Sequence, residues 1–151
     1  MIRYIRLLCL FVVASIAMTA LSQDMIVYGD FDTYVAMLNE TCPIEYRDAW
    51  SVTSFVADGD TVRVEVSTPA SLAGFMGMLI GDGENVKKMW VNQLMIFGNP
   101  WADFFNRLVK TDRHLIITFH PKNSDMAAVM TYTPQDYAIL DDILQSSTAT
   151  P

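Results

Sequence analysis

The sequence predicts an α+β domain made of two helix–hairpin–helix units, with a four-stranded antiparallel sheet and helices packed on one face. Three observations predict it. Two stretches alternate apolar and polar residues beside turn-forming residues: Val62, Val64 and Val66 against Arg63 and Glu65, then Leu115, Ile117 and Phe119. The segments around them place apolar residues at helical spacing. Finally, Ser67-Thr68-Pro69-Ala70-Ser71-Leu72-Ala73 echoes Tyr132-Thr133-Pro134-Gln135-Asp136-Tyr137-Ala138, each just after a hairpin, which suggests an internal repeat.

The chain opens with a segment for export. Residues 1–6 carry Arg3 and Arg6 and no acid. Leu7 to Ala17 is apolar apart from Ser15, and the small residues Ala20 and Ser22 follow. These are the three parts of a secretory signal peptide, with the cut before Gln23. The apolar run falls short of the roughly 20 residues of a membrane anchor, so an uncleaved anchor is the weaker alternative and no stable membrane span is expected after cleavage. Cys9 has too little apolar chain before it to be a lipidation site. Residues 1–22 are then signal peptide, 23–145 one domain, and 146–151 a Ser/Thr-rich tail that frays. The expected location is periplasmic or secreted.

The chain has 151 residues, of which 52% are hydrophobic and 18% charged, which excludes a disordered chain. Its formal charge is −7. Without residues 1–22, eight Lys and Arg stand against 17 Asp and Glu, a charge of −9. That excess repels nucleic acid and anionic lipid.

In chain order, Asp30 caps a helix whose buried face is Phe31, Tyr34, Val35 and Leu38. It ends before Pro43, because the residue preceding a proline avoids the helical region. Trp50–Ala57 and Thr61–Ser67 form a hairpin about Asp58-Gly59-Asp60. A two-residue loop pairs Phe55 with Val62; a three-residue loop pairs Val56 with Val62 and Val52 with Val66. Thr68-Pro69 opens a helix with Leu72, Phe75, Met76 and Leu79 inward, closed by Gly81. Gly74, Gly77 and Gly81 share a second face that would admit a close backbone, at about 1 kcal/mol per interior glycine. The next helix spans Glu84–Phe97, with Val86, Trp90, Leu94 and Phe97 inward and Gly98 as its stop. Asn99-Pro100 starts another, with Trp101, Phe104, Phe105 and Leu108 inward. Arg113–His120 and Met126–Tyr132 form the second hairpin. Thr133 to Asp136 is a capping box for a last helix lined by Tyr137, Leu140, Ile143 and Leu144.

One resemblance can be stated. Leu38-Asn39-Glu40-Thr41-Cys42-Pro43, Val52-Thr53-Ser54-Phe55 and Asp58-Gly59-Asp60-Thr61-Val62 together resemble a loose pattern in small exported bacterial proteins of unknown function. In those, an Asn-x-x-Cys/x-Pro stretch precedes one hairpin and a second hairpin precedes a terminal helix. The resemblance implies a bacterial envelope or secreted setting and an α+β fold, and no activity. Members often have a second cysteine near the end; this sequence has none there.

Catalytic and metal constellations are thin. His114 and His120 share a strand face but lie ~20 Å apart along it, too far to share one metal ion. Met76 and Met78 point apart on a helix and do not make a copper site. Asp58 and Asp60 belong to a turn, Asp141 and Asp142 to a solvated helix face. Gly81-Asp82-Gly83 lacks the lysine and hydroxyl of a phosphate loop. No cofactor is implied. Cys42, alone after cleavage, is buried, paired between chains, or reactive, and burial is the simplest of the three. Met89, Val91, Met95 and Ile96 lie off the inward stripe of the Glu84–Phe97 helix, so that helix is buried on several sides or docks on a partner.

The sequence therefore points to an exported, non-catalytic binding or structural module of the bacterial envelope. Its candidate binding surface is the polar sheet face, with Ser54, Arg63, Glu65, His114, Thr118 and His120, open to a protein, peptide or glycan. Two alternatives stand beside it. One is a small thiol-dependent hydrolase using Cys42. The other is a homo-oligomer built through the 84–97 helix, by Met89, Met95 and Ile96.

Overall fold

The structure, a computed structural model, describes residues 30–79 and 83–148. The predicted signal peptide, its expected cut before Gln23, and Gly81 as the expected helix stop lie outside the described residues. The chain divides into two units, residues 1–34 and 35–151. Of the first, residues 30–34 are described, the opening turn of helix α1 (Phe31–Glu40). All that follows concerns the second.

After α1, in which Val35 and Leu38 are buried, comes a short strand β1 (Ile44–Glu45) that the sequence does not predict. Strands β2 (Ser51–Asp58) and β3 (Thr61–Thr68) form the first hairpin. Its turn is Gly59-Asp60, since Asp58 pairs with Thr61 and Ala57 with Val62. The loop has two residues, as one of the predicted loops does, but Val62 faces Ala57 and neither Phe55 nor Val56, while the predicted Val52–Val66 pair does form. Gly59 holds φ +60° at the first central position, where only a residue without Cβ is at ease.

Farther from the turn the register changes. Val52 pairs with Val66 but Ser54 pairs with Glu65, so Thr53 is an extra residue, a β-bulge. The cause is visible in the sequence. Val52 and Phe55 are both buried, and three residues of regular strand would put them on opposite faces. One extra residue brings both inside.

The chain then crosses over through a 3₁₀ segment (Ala70–Phe75), the one-turn helix α2 (Met76–Leu79), α3 (Glu84–Ile96) and α4 (Trp101–Leu108). The predicted single helix after Pro69 is thus mostly 3₁₀. Gly74 and Gly77, poor α-helix formers, sit within it. They do not admit a close backbone: an added Cβ at either would meet nothing within 4 Å.

Strands β4 (His114–Pro121) and β5 (Ala128–Tyr132) complete a five-stranded sheet of order β1-β2-β3-β4-β5. The sheet is mixed, not antiparallel as predicted, because β3 and β4 run parallel. The 13 residues of α3 span about 20 Å at 1.5 Å per residue, roughly the length of a strand. The crossover therefore returns the chain to the end where β3 began, and His114 N–H donates to Asp60 O at 2.7 Å. This overturns the repeat as a spatial duplication. Hairpin one places its second strand, β3, at the centre of the sheet, whereas hairpin two places its first strand, β4, against it.

The buried sheet face holds Val62, Val64, Val66, Leu115, Ile117, Phe119, Met130 and Tyr132. Trp90 of α3 stacks on Phe119 at 4.0 Å, and Trp101 and Phe104 of α4 pack on Phe55 at 5.8 and 5.4 Å. Trp101, Phe104, Phe105 and Leu108 are all fully buried, as their spacing predicts, each contributing about 1.5–3 kcal/mol of burial.

Thr133 and Asp136 form the predicted capping box: Thr133 N–H donates to Asp136 Oδ2 at 2.8 Å. A 3₁₀ turn (Pro134–Asp136) leads into α5 (Tyr137–Thr148), which continues past Gln145 into the stretch expected to be tail. Ser146 and Ser147 hydroxyls donate to Ile143 O and Leu144 O, each at 2.8 Å.

Candidate binding face

The second sheet face carries the alternate residues of the same strands. Cross-strand register sorts them into rows. Val56, Arg63, Ile116 and Thr131 make one row; Ser54, Glu65, Thr118 and Val129 make the next. Thr61 and His114 flank them toward one end, Ser67 and His120 toward the other. The structure thus brings Ser54, Arg63, Glu65, His114, Thr118 and His120 onto one face, through a parallel β3–β4 pair that the sequence reading lacked.

The face is open. Arg63 and His120 are exposed, and Glu65, His114 and Thr118 are half-buried. Val56 is 45% and Val129 51% exposed, two apolar positions that the sequence reading did not include. Their signal was present: each sits one step out of phase with the buried residues of its strand. His120 Nε2 lies 2.5 Å from Glu65 Oε2, a diagonal contact between the two central strands. Thr53, the bulge residue, donates its hydroxyl to Glu65 O at 3.2 Å.

His114 and His120 sit at opposite ends of an unbroken strand, ~20 Å apart by strand rise, so one ion cannot bind both. Among the described residues, no three His, Cys, Asp or Glu side chains gather as a metal site. Cys42 is half-buried, with its thiol 3.6 Å from Leu38 O, and burial pushes its pKa up. Its neighbour Tyr46 is pushed up to about 12 by burial, against a lowering contact with Trp101, and Cys42 adds to the rise. A protonated phenol beside a protonated thiol makes no nucleophile–base pair at neutral pH.

The α3 face behaves differently from either simple expectation. Val91 is buried, Met95 half-buried, and Met89 and Ile96 are 42% and 62% exposed. Val86 is only half-buried, while Lys87 is buried with its ammonium 2.8 Å from Asp136 Oδ2. A shallow groove lined by Asn92, Met95, Ile96, Ile143, Ser146 and Ser147 lies between α3 and α5.

No protein family's profile matches the chain, and no curated protein matches it in sequence. Three solved structures are similar in chain course. One is a protein of Pseudomonas aeruginosa described as secreted, at 8% identity and a TM-score of 0.47, covering 71% of this chain and 88% of that one. Another is EpsS, pilotin of the Vibrio vulnificus type 2 secretion system, at 10% identity and 0.45, covering 71% and 87%. The third is AspS, type II secretion system pilotin of Vibrio cholerae, at 12% identity and 0.44, covering 80% and 98%. Similarity at this level reaches neither function nor partner.

Proposed function

We propose that the chain is an exported, non-catalytic module of the bacterial cell envelope that binds a protein partner on the open face of its sheet. The observation that supports this reading is the asymmetry of the sheet. One face is closed by helices, and the other presents Arg63, Glu65, His114, Thr118 and His120 beside the exposed Val56 and Val129. A mixed patch of apolar and charged groups on a rigid sheet suits a polypeptide surface. Residues 1–22 supply the export, with cleavage before Gln23. The thiol-hydrolase alternative loses support from the protonated, half-buried Cys42.

The test is made in a bacterial host with the native leader. The mature protein is expected in the envelope or outside the cell, beginning at Gln23. A photo-crosslinking residue at position 63 is expected to capture one protein, and the same residue at position 107, on α4, to capture none. A product that begins at Met1 and stays in the cytoplasm defeats the export half. Capture at 107 and not at 63 defeats the binding half.

A second reading is self-association through α3, favoured by the exposure of Met89 and Ile96. Light scattering that reports a dimer, abolished by Ile96→Glu, would select it.

A further inference from the structure

We infer that the outer edge of β5 takes an extended segment of the partner polypeptide as a sixth strand of the sheet. This rests on the proposed reading that the chain binds a protein partner, and it states how that partner is held.

The hydrogen bonds of β4 decide which groups the edge offers. Along a strand, successive residues turn their N–H and C=O to opposite neighbours. His114 N–H donates to Asp60 O at 2.7 Å, and Lys122 N–H to Thr68 O at 2.9 Å. The even-numbered residues of β4 therefore face β3, and Leu115, Ile117 and Phe119 face β5. Their partners Tyr132, Met130 and Ala128 turn their backbone groups inward. Val129 and Thr131 then turn theirs away from the sheet, two donors and two acceptors in a row. Helix α2 passes near β5, yet among the described residues no hydrogen bond reaches these four groups. The free run ends at Thr133, whose N–H is taken by Asp136 Oδ2.

The opposite edge is closed. There β1 pairs with Ser51 and Val52, the bulge at Thr53 breaks the ladder, and Asn39 Oδ1 accepts the Phe55 N–H at 3.0 Å. Short strands, bulges, charges and prolines are the usual guards against strand addition. Residues 126–132 hold no charge and no proline, and the β4–β5 register is unbroken. One edge is guarded three ways and the other is left as a template.

The occupant is a segment of a different protein. The pairing strand has 5 residues, and a ribbon of that length falls far short of the about 1,000 Å2 of a stable interface, so two copies meeting edge to edge would not hold. A second copy also brings the same formal charge of −7, which repels. A neutral or basic extended segment meets neither obstacle. Its residues opposite Val129 and Thr131 lie on the open face, where a β-branched side chain packs beside the exposed Val129.

The test titrates the capped peptide Lys-Val-Thr-Val-Thr-Val-Lys into the wild-type protein while NMR follows backbone amides. Saturable shifts and slowed hydrogen exchange are expected at Val129 and Thr131, with Ala128 and Met130 already protected. The same peptide N-methylated at alternate residues is expected to bind at least about tenfold more weakly, since it loses its edge donors. Val129→Pro removes an N–H that β4 does not use, so it is expected to keep the thermal transition and lose the peptide. No saturable shift at Val129 and Thr131, or equal binding of the N-methylated peptide, overturns the inference. In the host, capture at position 63 that persists undiminished in a folded Val129→Pro protein also overturns it, and leaves the open-face reading standing. Peptide pairing at Val129 and Thr131 without any capture at position 63 defeats that reading and upholds the edge.

Discussion

Lys87 and Asp136 join helix α3 to the start of α5 through one contact, 2.8 Å from Nζ to Oδ2. The same carboxylate oxygen accepts the N–H and the hydroxyl of Thr133, and Tyr132 donates its hydroxyl to Lys87 O at 3.0 Å. The capping box therefore does more than start a helix. It ties the last strand, the last helix and the crossover together at a point where an unpaired lysine would be costly.

Removing the partner tests this. Asp136→Asn leaves a buried ammonium without its counter-charge and is expected to cost about 2–3 kcal/mol in urea denaturation at pH 7. Lys87→Met, which removes the charge that needs pairing, is expected to cost less. Partial burial pushes the Asp136 carboxyl up, but the Lys87 and Thr133 hydrogen bonds outweigh it and hold the group below its ordinary value. A depressed folded pKa stabilises the fold above the unfolded carboxylate value of about 4, and this contribution fades as pH falls through the folded value. The gap between wild type and Asp136→Asn is therefore expected to be full at pH 7 and to shrink in acid. A gap that stays constant to pH 2 contradicts the pairing.

The bulge at Thr53 predicts an unusual tolerance. Deleting Thr53 leaves Val52, Ser54 and Phe55 in regular in–out–in alternation, so both core residues keep their places. Deleting Val56 instead turns every residue on one side of it to the wrong face. The Thr53 deletion is expected to fold with a loss of about 1–2 kcal/mol, and the Val56 deletion not to fold. Thermal unfolding of the two deletions decides it.

The same bulge shows what could be read from the sequence. Elements whose pattern is local were legible: α4 from Trp101, Phe104, Phe105 and Leu108, the second hairpin, and the Thr133–Asp136 cap. The polar face was legible too, because Arg63, Glu65, Thr118 and His120 alternate with buried neighbours. What failed depends on distant partners. The register at Val52 follows from which residues share the core, and the parallel pairing of β3 with β4 follows from the length of the crossover. Burial of Lys87 depends on Asp136, 49 positions away. Neither residue's immediate surroundings announce the other.

Cys42 gives a test of thiol chemistry. Burial raises its pKa and Leu38 O lies within reach of its hydrogen, so the thiolate is scarce at neutral pH. Alkylation by iodoacetamide at pH 7.5, a working value on the pH scale about one unit below a free thiol's pKa, is expected to be slower than that of free cysteine. Unfolding in urea should remove the difference. A native thiol that reacts faster than free cysteine would return the hydrolase reading to first place.

Ala49 carries a Cβ in a backbone region that suits glycine, with φ at 64°. The left-handed conformation costs an L-residue roughly 1–2 kcal/mol, while glycine gives back about 0.5–1 kcal/mol through the greater freedom of its unfolded chain. Ala49→Gly is therefore expected to stabilise the fold by up to about 1 kcal/mol and to raise its melting temperature. Asp48→Gly is expected to gain less, because aspartate tolerates this region through local hydrogen bonds. The two substitutions flank one peptide bond, so the difference between their melting temperatures isolates the side chain's own contribution. An Ala49→Gly protein that melts no higher than the wild type would mean that the turn before Trp50 is held at little cost to Ala49.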